Sequence, residues 1–121
     1  MAAPNIVGVT SIIGKTDVLD VSTTASAITT NAASSGQVYK INSLFISNIN
    51  GENLGEVTVD LFRDSSSYKI ANTVVVPADA TLVVISKDTS IYLQEGDSIR
   101  CKATNSNYLQ AVCSYEIIDD A

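Results

Sequence analysis

The sequence predicts an all-β fold, an antiparallel β-sandwich of jelly-roll or immunoglobulin-like type with about eight strands. Three observations carry that expectation. The chain has 13 Val, 13 Ile and 11 Thr against 7 Leu, and β-branched side chains fit a pleated sheet while losing rotamer freedom in a helix. Several segments alternate apolar and polar residues with period two. Turn residues punctuate the chain every 8–12 residues, the spacing of short antiparallel strands.

Taken in order, Met1–Thr16 carries Ile6, Val7, Val9, Ile12 and Ile13, interrupted by Pro4, Gly8 and Gly14. Two readings stand side by side for it. It is a first edge strand, or it is an extended N-terminal arm that lays its apolar side on a neighbouring subunit and adds a strand to an exposed sheet edge. Residues 1–16 are therefore set apart as arm or edge strand, and residues 17–121 as the sandwich domain. Val18–Val21 and Ala27–Thr30 are weak strand candidates, followed by the small-residue loop Ala32–Gly36.

Val38–Ile49 is a longer strand of mixed phase, with Tyr39, Ile41, Phe45 and Ile49 in one register and Leu44 and Ile46 in the other. Asn50-Gly51 reads as a hairpin signal drawn out into a longer loop. In Glu56–Arg63, Val57, Val59 and Leu61 alternate with polar residues, and Ser67–Val76 follows a serine-rich turn. Thr81–Ser86 is a short continuous apolar run, the pattern of a strand covered on both faces. Ser90–Leu93 ends at the turn Gln94–Asp97. In Asp97–Thr104, Ile99, Cys101 and Ala103 share a face, as do Leu109, Ala111, Cys113, Tyr115 and Ile117 in Tyr108–Ile118. Asn105-Ser106-Asn107 reads as a tight turn joining these two strands as a hairpin, with Cys101 opposite or diagonal to Cys113.

Composition also limits function. A chain of 121 residues makes one domain with a real core. Its net charge of −6 and scattered basic residues argue against nucleic-acid binding. No run is long and apolar enough for a membrane-spanning helix. The N-terminus lacks the basic and apolar regions of a secretory signal, so synthesis in a cytoplasm is expected. Cys101 and Cys113 are then expected as buried free thiols rather than a disulfide.

Histidine is absent, which removes the commonest general base and metal ligand. No base stands beside either cysteine to make it a nucleophile. The turn acids Glu52, Asp64, Asp79, Asp88, Glu95 and Asp97 read as solvated. Asp17 with Asp20, or Glu95 with Asp97, would be the pairs to consider for Ca²⁺, but neither has a known binding-loop pattern. The five tyrosines (Tyr39, Tyr68, Tyr92, Tyr108, Tyr115) would serve either a sugar-stacking platform or the boundary between core and surface. No catalytic residue, cofactor or metal is expected, and the chain is expected not to be an enzyme.

Four stretches resemble small virion structural proteins of tailed bacteriophages, notably those infecting cyanobacteria. They are residues 1–7 (MAAPNIV), 76–88 (VPADATLVVISKD), 92–100 (YLQEGDSIR) and 111–116 (AVCSYE). The resemblance implies a protein of the virion, assembled in the host cytoplasm, that acts by protein–protein contact. Most naturally it implies a capsid decoration (cement) protein held on the major capsid protein or other virion proteins, as a homo-oligomer taken to be a trimer. The alternatives are a neck, tail, baseplate or fibre-attachment sandwich, and, in another class, a carbohydrate-binding receptor module. The partner interface is expected at Ile6, Val7, Val9, Ile12 and Ile13.

Overall fold

The structure is a computed structural model and describes residues Val9–Asp120. Nine antiparallel strands form two sheets packed face to face: β1 (Val9–Asp20), β2 (Ser26–Thr30), β3 (Gln37–Asn48), β4 (Gly55–Arg63), β5 (Ser66–Val76), β6 (Thr81–Ile85), β7 (Ile91–Leu93), β8 (Ser98–Ala103) and β9 (Leu109–Asp120). A 3₁₀ turn at Lys87–Thr89 separates β6 from β7. Among the described residues there is no α-helix, and hence none that crosses a membrane.

The five-stranded sheet A runs β1-β9-β3-β6, with β7 also on β3, and the four-stranded sheet B runs β2-β8-β4-β5. Strands β6 and β7 pair with the same strand at different heights, Phe45 with Val83 and Ile41 with Ile91. They act as one interrupted strand, so eight strand positions remain. This order, with sequential strands alternating between sheets, is the jelly-roll arrangement of two interwound Greek keys. Of the two architectures expected from sequence, the jelly roll is the one formed.

Each sheet turns one face inward, and Ile41, Leu44, Ile46, Val57, Val59, Ile99, Leu109 and Cys113 interdigitate there. The mixed phase of β3 has a physical cause. A β-bulge between Ile41 and Ser43 inserts Asn42 and reverses which parity points inward. Tyr39 and Ile41 face the core before it, Leu44 and Ile46 after it, and Phe45 is thereby turned to solvent.

Three expectations are corrected. Asn105–Asn107 does not close a hairpin, since β8 lies in sheet B and β9 in sheet A. Cys101 pairs with Ser26 and Val59, and Cys113 with Asp17 and Leu44, so the two thiols enter the core from opposite sheets. Likewise the Asn50-Gly51 loop crosses between sheets rather than joining neighbours. The apolar run Thr81–Ser86 is an edge strand with Val83 turned outward, not a strand covered on both faces. A turn-forming sequence specifies a reversal; whether the chain reverses into the same sheet or the facing one depends on which edge is free. Among the described residues the one two-residue hairpin is β4–β5, where Asp64 and Ser65 adopt φ of 52° and 62° between the paired Arg63 and Ser66, as a type I′ turn requires.

The crossing loops are held by two buried asparagines, one at each end of the sandwich. The Asn31 side chain donates to the carbonyls of Gln37 (2.9 Å) and Leu93 (3.0 Å) and accepts from Ser35 (2.6 Å). Its main chain exchanges bonds with Asp97 and Gly96. At the other end Asn48 donates to the carbonyls of Asn53 (3.0 Å) and Val76 (2.9 Å) and accepts from the Asn50 amide (2.8 Å). Asn31→Ala should therefore strand the buried Leu93 carbonyl and the part-buried Gln37 carbonyl and lower the unfolding free energy by about 3 kcal/mol, read as a fall in the urea midpoint.

Candidate interaction surface

Several of the groups able to carry chemistry are engaged in holding the fold. Burial pushes the Cys101 thiol up to about 12 and the Cys113 thiol up to about 11, so both are protonated thiols at neutral pH. They are buried and free. Asp97, expected as a solvated turn acid, is instead buried. It takes a two-pronged bond from Arg63 (Nε to Oδ1 2.9 Å, Nη2 to Oδ2 2.5 Å) and one from the Gln94 amide at 2.8 Å. Arg63 lies at the end of β4, 34 residues away in sequence, which is why local reading missed it.

Asp60 is also buried, on the outer side of sheet B, between Arg100 (3.0 and 3.2 Å) and Lys69 (3.8 Å). Arg100 in turn lies 4.0 Å over the Phe62 ring. The three residues are direct cross-strand neighbours, Asp60 opposite Arg100 and Lys69.

The pairs weighed for Ca²⁺ are not brought together. Asp17 accepts from Thr29 Oγ1 and Tyr115 OH, both at 3.0 Å, on the inner side of β1, while Asp20 accepts from Gln110 at 2.9 Å on the outer side. Glu95 takes the Gly36 amide at 3.3 Å and Asp97 takes Arg63. Among the described residues no three acidic or thiol groups cluster around a common point. Nor do the tyrosines share a platform: Tyr39 and Tyr115 stack at 5.1 Å, whereas Tyr68 and Tyr92 are exposed on different sheets.

What the surface offers is an apolar row. On the outer face of sheet A, Val18 lies opposite Val112, Val112 opposite Phe45, and Phe45 opposite Val83. One line of apolar side chains thus crosses β1, β9, β3 and β6. Val18 is 73% exposed, Val83 52% and Phe45 36%. On one side the row is framed by Asp20, Gln110, Ser47 and Thr81, and on the other by Thr16, Ser114 and Ser43. Gln110 bonds Asp20, Ser47 bonds Thr81 and Thr16 bonds Ser114 along these frames. A shallow open depression beside Phe45 and Val83 is bordered by Lys40, Lys87 and Glu116. An apolar line inside a hydrogen-bonded polar frame is the anatomy of a protein-docking patch.

The edges of the sheets differ. Strand β5 is broken by two register shifts and holds Thr73 at φ 46°; β2 and β6 have five residues each and a shift apiece. Bulged or short edges resist strand addition. Strand β1 has 12 residues and keeps one unbroken register with β9 from Ser11 to Asp20. No strand among the described residues pairs with its other side.

Of the expected interface residues, Ile6 and Val7 lie outside the described residues, and Val9 opens β1. Ile12 (53% exposed) points to the outer side of β1 and Ile13 (54%) to the inner side. Strand β2 underlies only the later part of β1, where Asp17 meets Thr29, so the inner side stays open around Ile13. Sequence division at Thr16 falls inside β1, which continues without a break to Asp20. The apolar row itself was missed in the sequence; its one trace there is Phe45 standing out of phase with Leu44 and Ile46.

No family model and no curated protein matches the chain. Among solved structures, a chain from Bacillus endospore appendages, described as forming a novel family of disulfide-linked pili, is 16% identical with a TM-score of 0.55 over 92% of this chain and 90% of its own. Two structures of a pentameric capsid protein from metagenomic phage sequences are 16% identical at a TM-score of 0.46. They cover 86% of this chain, which spans 62% and 64% of theirs. The endospore-appendage chain shares the sandwich fold at this level of identity.

Burial opposes the ionisation of Asp60, but hydrogen bonds from Arg100 and Ser67 and the charges of Arg100 and Lys69 outweigh it and hold the carboxyl below its usual 3.8. A carboxylate that is more acidic folded than unfolded stabilises the fold above the unfolded value, and that contribution vanishes as pH falls through the folded value. Asp60→Asn should thus be less stable than the parent at neutral pH, and the gap should persist down to the usual 3.8 and close only as pH falls below it through the folded value, followed by urea titration across the range.

Proposed function

We propose that this protein is a non-enzymatic structural subunit of a tailed-phage virion, a capsid decoration protein that docks the outer face of sheet A onto the shell. The row Val18–Val112–Phe45–Val83 carries the reading. Apolar side chains held rigidly across four strands are arranged for a complementary surface, and covering each contributes ~1 kcal/mol or more. The sequence resemblance supplies the kind of surface, the major capsid protein or a neighbouring virion protein. An acidic, sheet-forming chain whose ionisable groups brace its own strands acts through what it touches.

The association is non-covalent. Disulfide linkage is a description of the endospore-appendage neighbour, and here both thiols are in the core. The alternative stations on a virion (neck, tail, baseplate or fibre attachment) use the same kind of contact and differ in copy number, which is hundreds per particle for decoration and tens or fewer elsewhere. The dispersed tyrosines give the receptor-module reading no observation of its own.

Deleting residues 1–16 would remove most of β1 and open the edge of β9, so it tests the fold together with the interface. Surface substitutions are cleaner. Val18→Asp and the double variant Phe45→Ser/Val83→Ser should keep the parent's β-sheet circular dichroism, with stability changes on the order of 0.5 kcal/mol. Their binding to particles lacking the protein should fall at least about tenfold, measured by co-sedimentation. Unchanged binding by both variants, or absence of the protein from purified virions by quantitative mass spectrometry, would refute the proposal.

A further inference from the structure

The open side of β1 has a definite pattern of donors, acceptors and charges. The Val21 amide donates to the Leu109 carbonyl opposite it, which fixes the alternation along the antiparallel ladder. Leu19, Asp17, Lys15 and Ile13 then turn their backbone groups to β9. Asp20, Val18, Thr16, Gly14 and Ile12 turn theirs to the open edge, in a register with no bulge from Ser11 to Asp20.

We propose that this edge pairs with itself: two copies join antiparallel along β1 about a two-fold axis at Thr16, merging two five-stranded sheets into one. In that register Ile12 faces Asp20, Gly14 faces Val18 and Thr16 faces Thr16 of the other copy. Every outward backbone group finds a partner, giving about ten hydrogen bonds. On the inner side Lys15 meets Asp17 of the other copy twice, and Ile13 meets Leu19.

Charge selects this register. A two-fold axis at Lys15 would set Lys15 against Lys15, and one at Asp17 would set Asp17 against Asp17; like charges directly opposite destabilise a sheet. Only the axis between them on the sequence, at Thr16, places each lysine opposite an aspartate. Asp17 is held for the role, since Thr29 and Tyr115 both donate to its Oδ2 atom. The same arrangement sets Leu19 of the second copy opposite the open Ile13. Unlike the trimer expected from sequence, the contact is isologous and closes at two subunits. Because the axis is perpendicular to the sheet, both apolar rows face the same way. The pairing does not rest on the virion reading, since it concerns the isolated protein.

The test uses the purified full chain in sedimentation velocity across the micromolar range. A concentration-dependent species of twice the monomer mass is expected. Thr16→Pro removes an N–H that only the second copy uses, leaving the β1–β9 ladder whole, and Lys15→Glu turns both attractive pairs into like-charge pairs at an exposed position. Each should weaken dimerisation at least tenfold, and the Lys15→Glu variant keeps the test sound if the proline variant fails to fold. Spin labels on single cysteines at Gly14, Thr16 and Val18, with the buried native thiols unreactive, should be closest at Thr16 and equally farther apart at the flanking sites. A monomer at all concentrations, a trimer, a dimer indifferent to Lys15→Glu, or a distance minimum elsewhere would overturn the proposal.

Discussion

The fold depends on how it closes its two ends. All but two of the connections carry the chain from one sheet to the other, so each end of the sandwich is a place where backbone must turn across the core without water to satisfy it. A buried amide or carbonyl left alone costs about as much as a lost hydrogen bond. Asn31 and Asn48 meet that demand, each with a side chain that both donates and accepts, as a hydrophobic residue or a carboxylate cannot. Asn31 ties the β2–β3 loop to the β7–β8 loop; Asn48 ties the β3–β4 loop to the end of β5. The salt bridge of Arg63 with Asp97 fastens the β4–β5 hairpin to the first of these ends. With the ends fixed, the sheets meet in one register and the core residues of each strand have a single place to go.

The legible part of this structure is the part set by neighbours in sequence. Alternation in Glu56–Arg63, Asp97–Thr104 and Tyr108–Ile118 located β4, β8 and β9 to within two residues at each boundary. The long antiparallel partnership of β3 with β9 was beyond it, because a strand's partner is a long-range fact. Asn105–Asn107 and Asn50-Gly51 have hairpin-like composition, yet both serve crossings. The double phase of Val38–Ile49 was visible as a pattern and is explained by one extra residue, Asn42. Asp97 looks like any turn acid until Arg63, arriving from another strand, takes both its oxygens. The expected contact residues Ile12 and Ile13 fall on the β1 edge, while Val18, Phe45, Val83 and Val112 come from four strands and become a row only when the sheet assembles them.

The edges show how the molecule separates solubility from association. Three of its edge segments are short or interrupted, and β5 has Lys69 and a left-handed Thr73, devices that keep sheets from joining at random. On β1 the guard is subtler: Lys15 and Asp17 tolerate one alignment and oppose its neighbours. Specificity there comes from what is repelled as much as from what is attracted.

The placement of Cys101 and Cys113 has a use of its own. Each comes from a different sheet, and each is sealed in the interface between them. A thiol reagent can reach either one only when the two layers separate, so the rate at which the unaltered protein is alkylated is a clock for the opening of the sandwich. Because the thiols belong to the native chain, that clock runs equally well on the free molecule and on one already seated in an assembly, and the ratio of the two rates is a direct measure of how far assembly restrains its breathing.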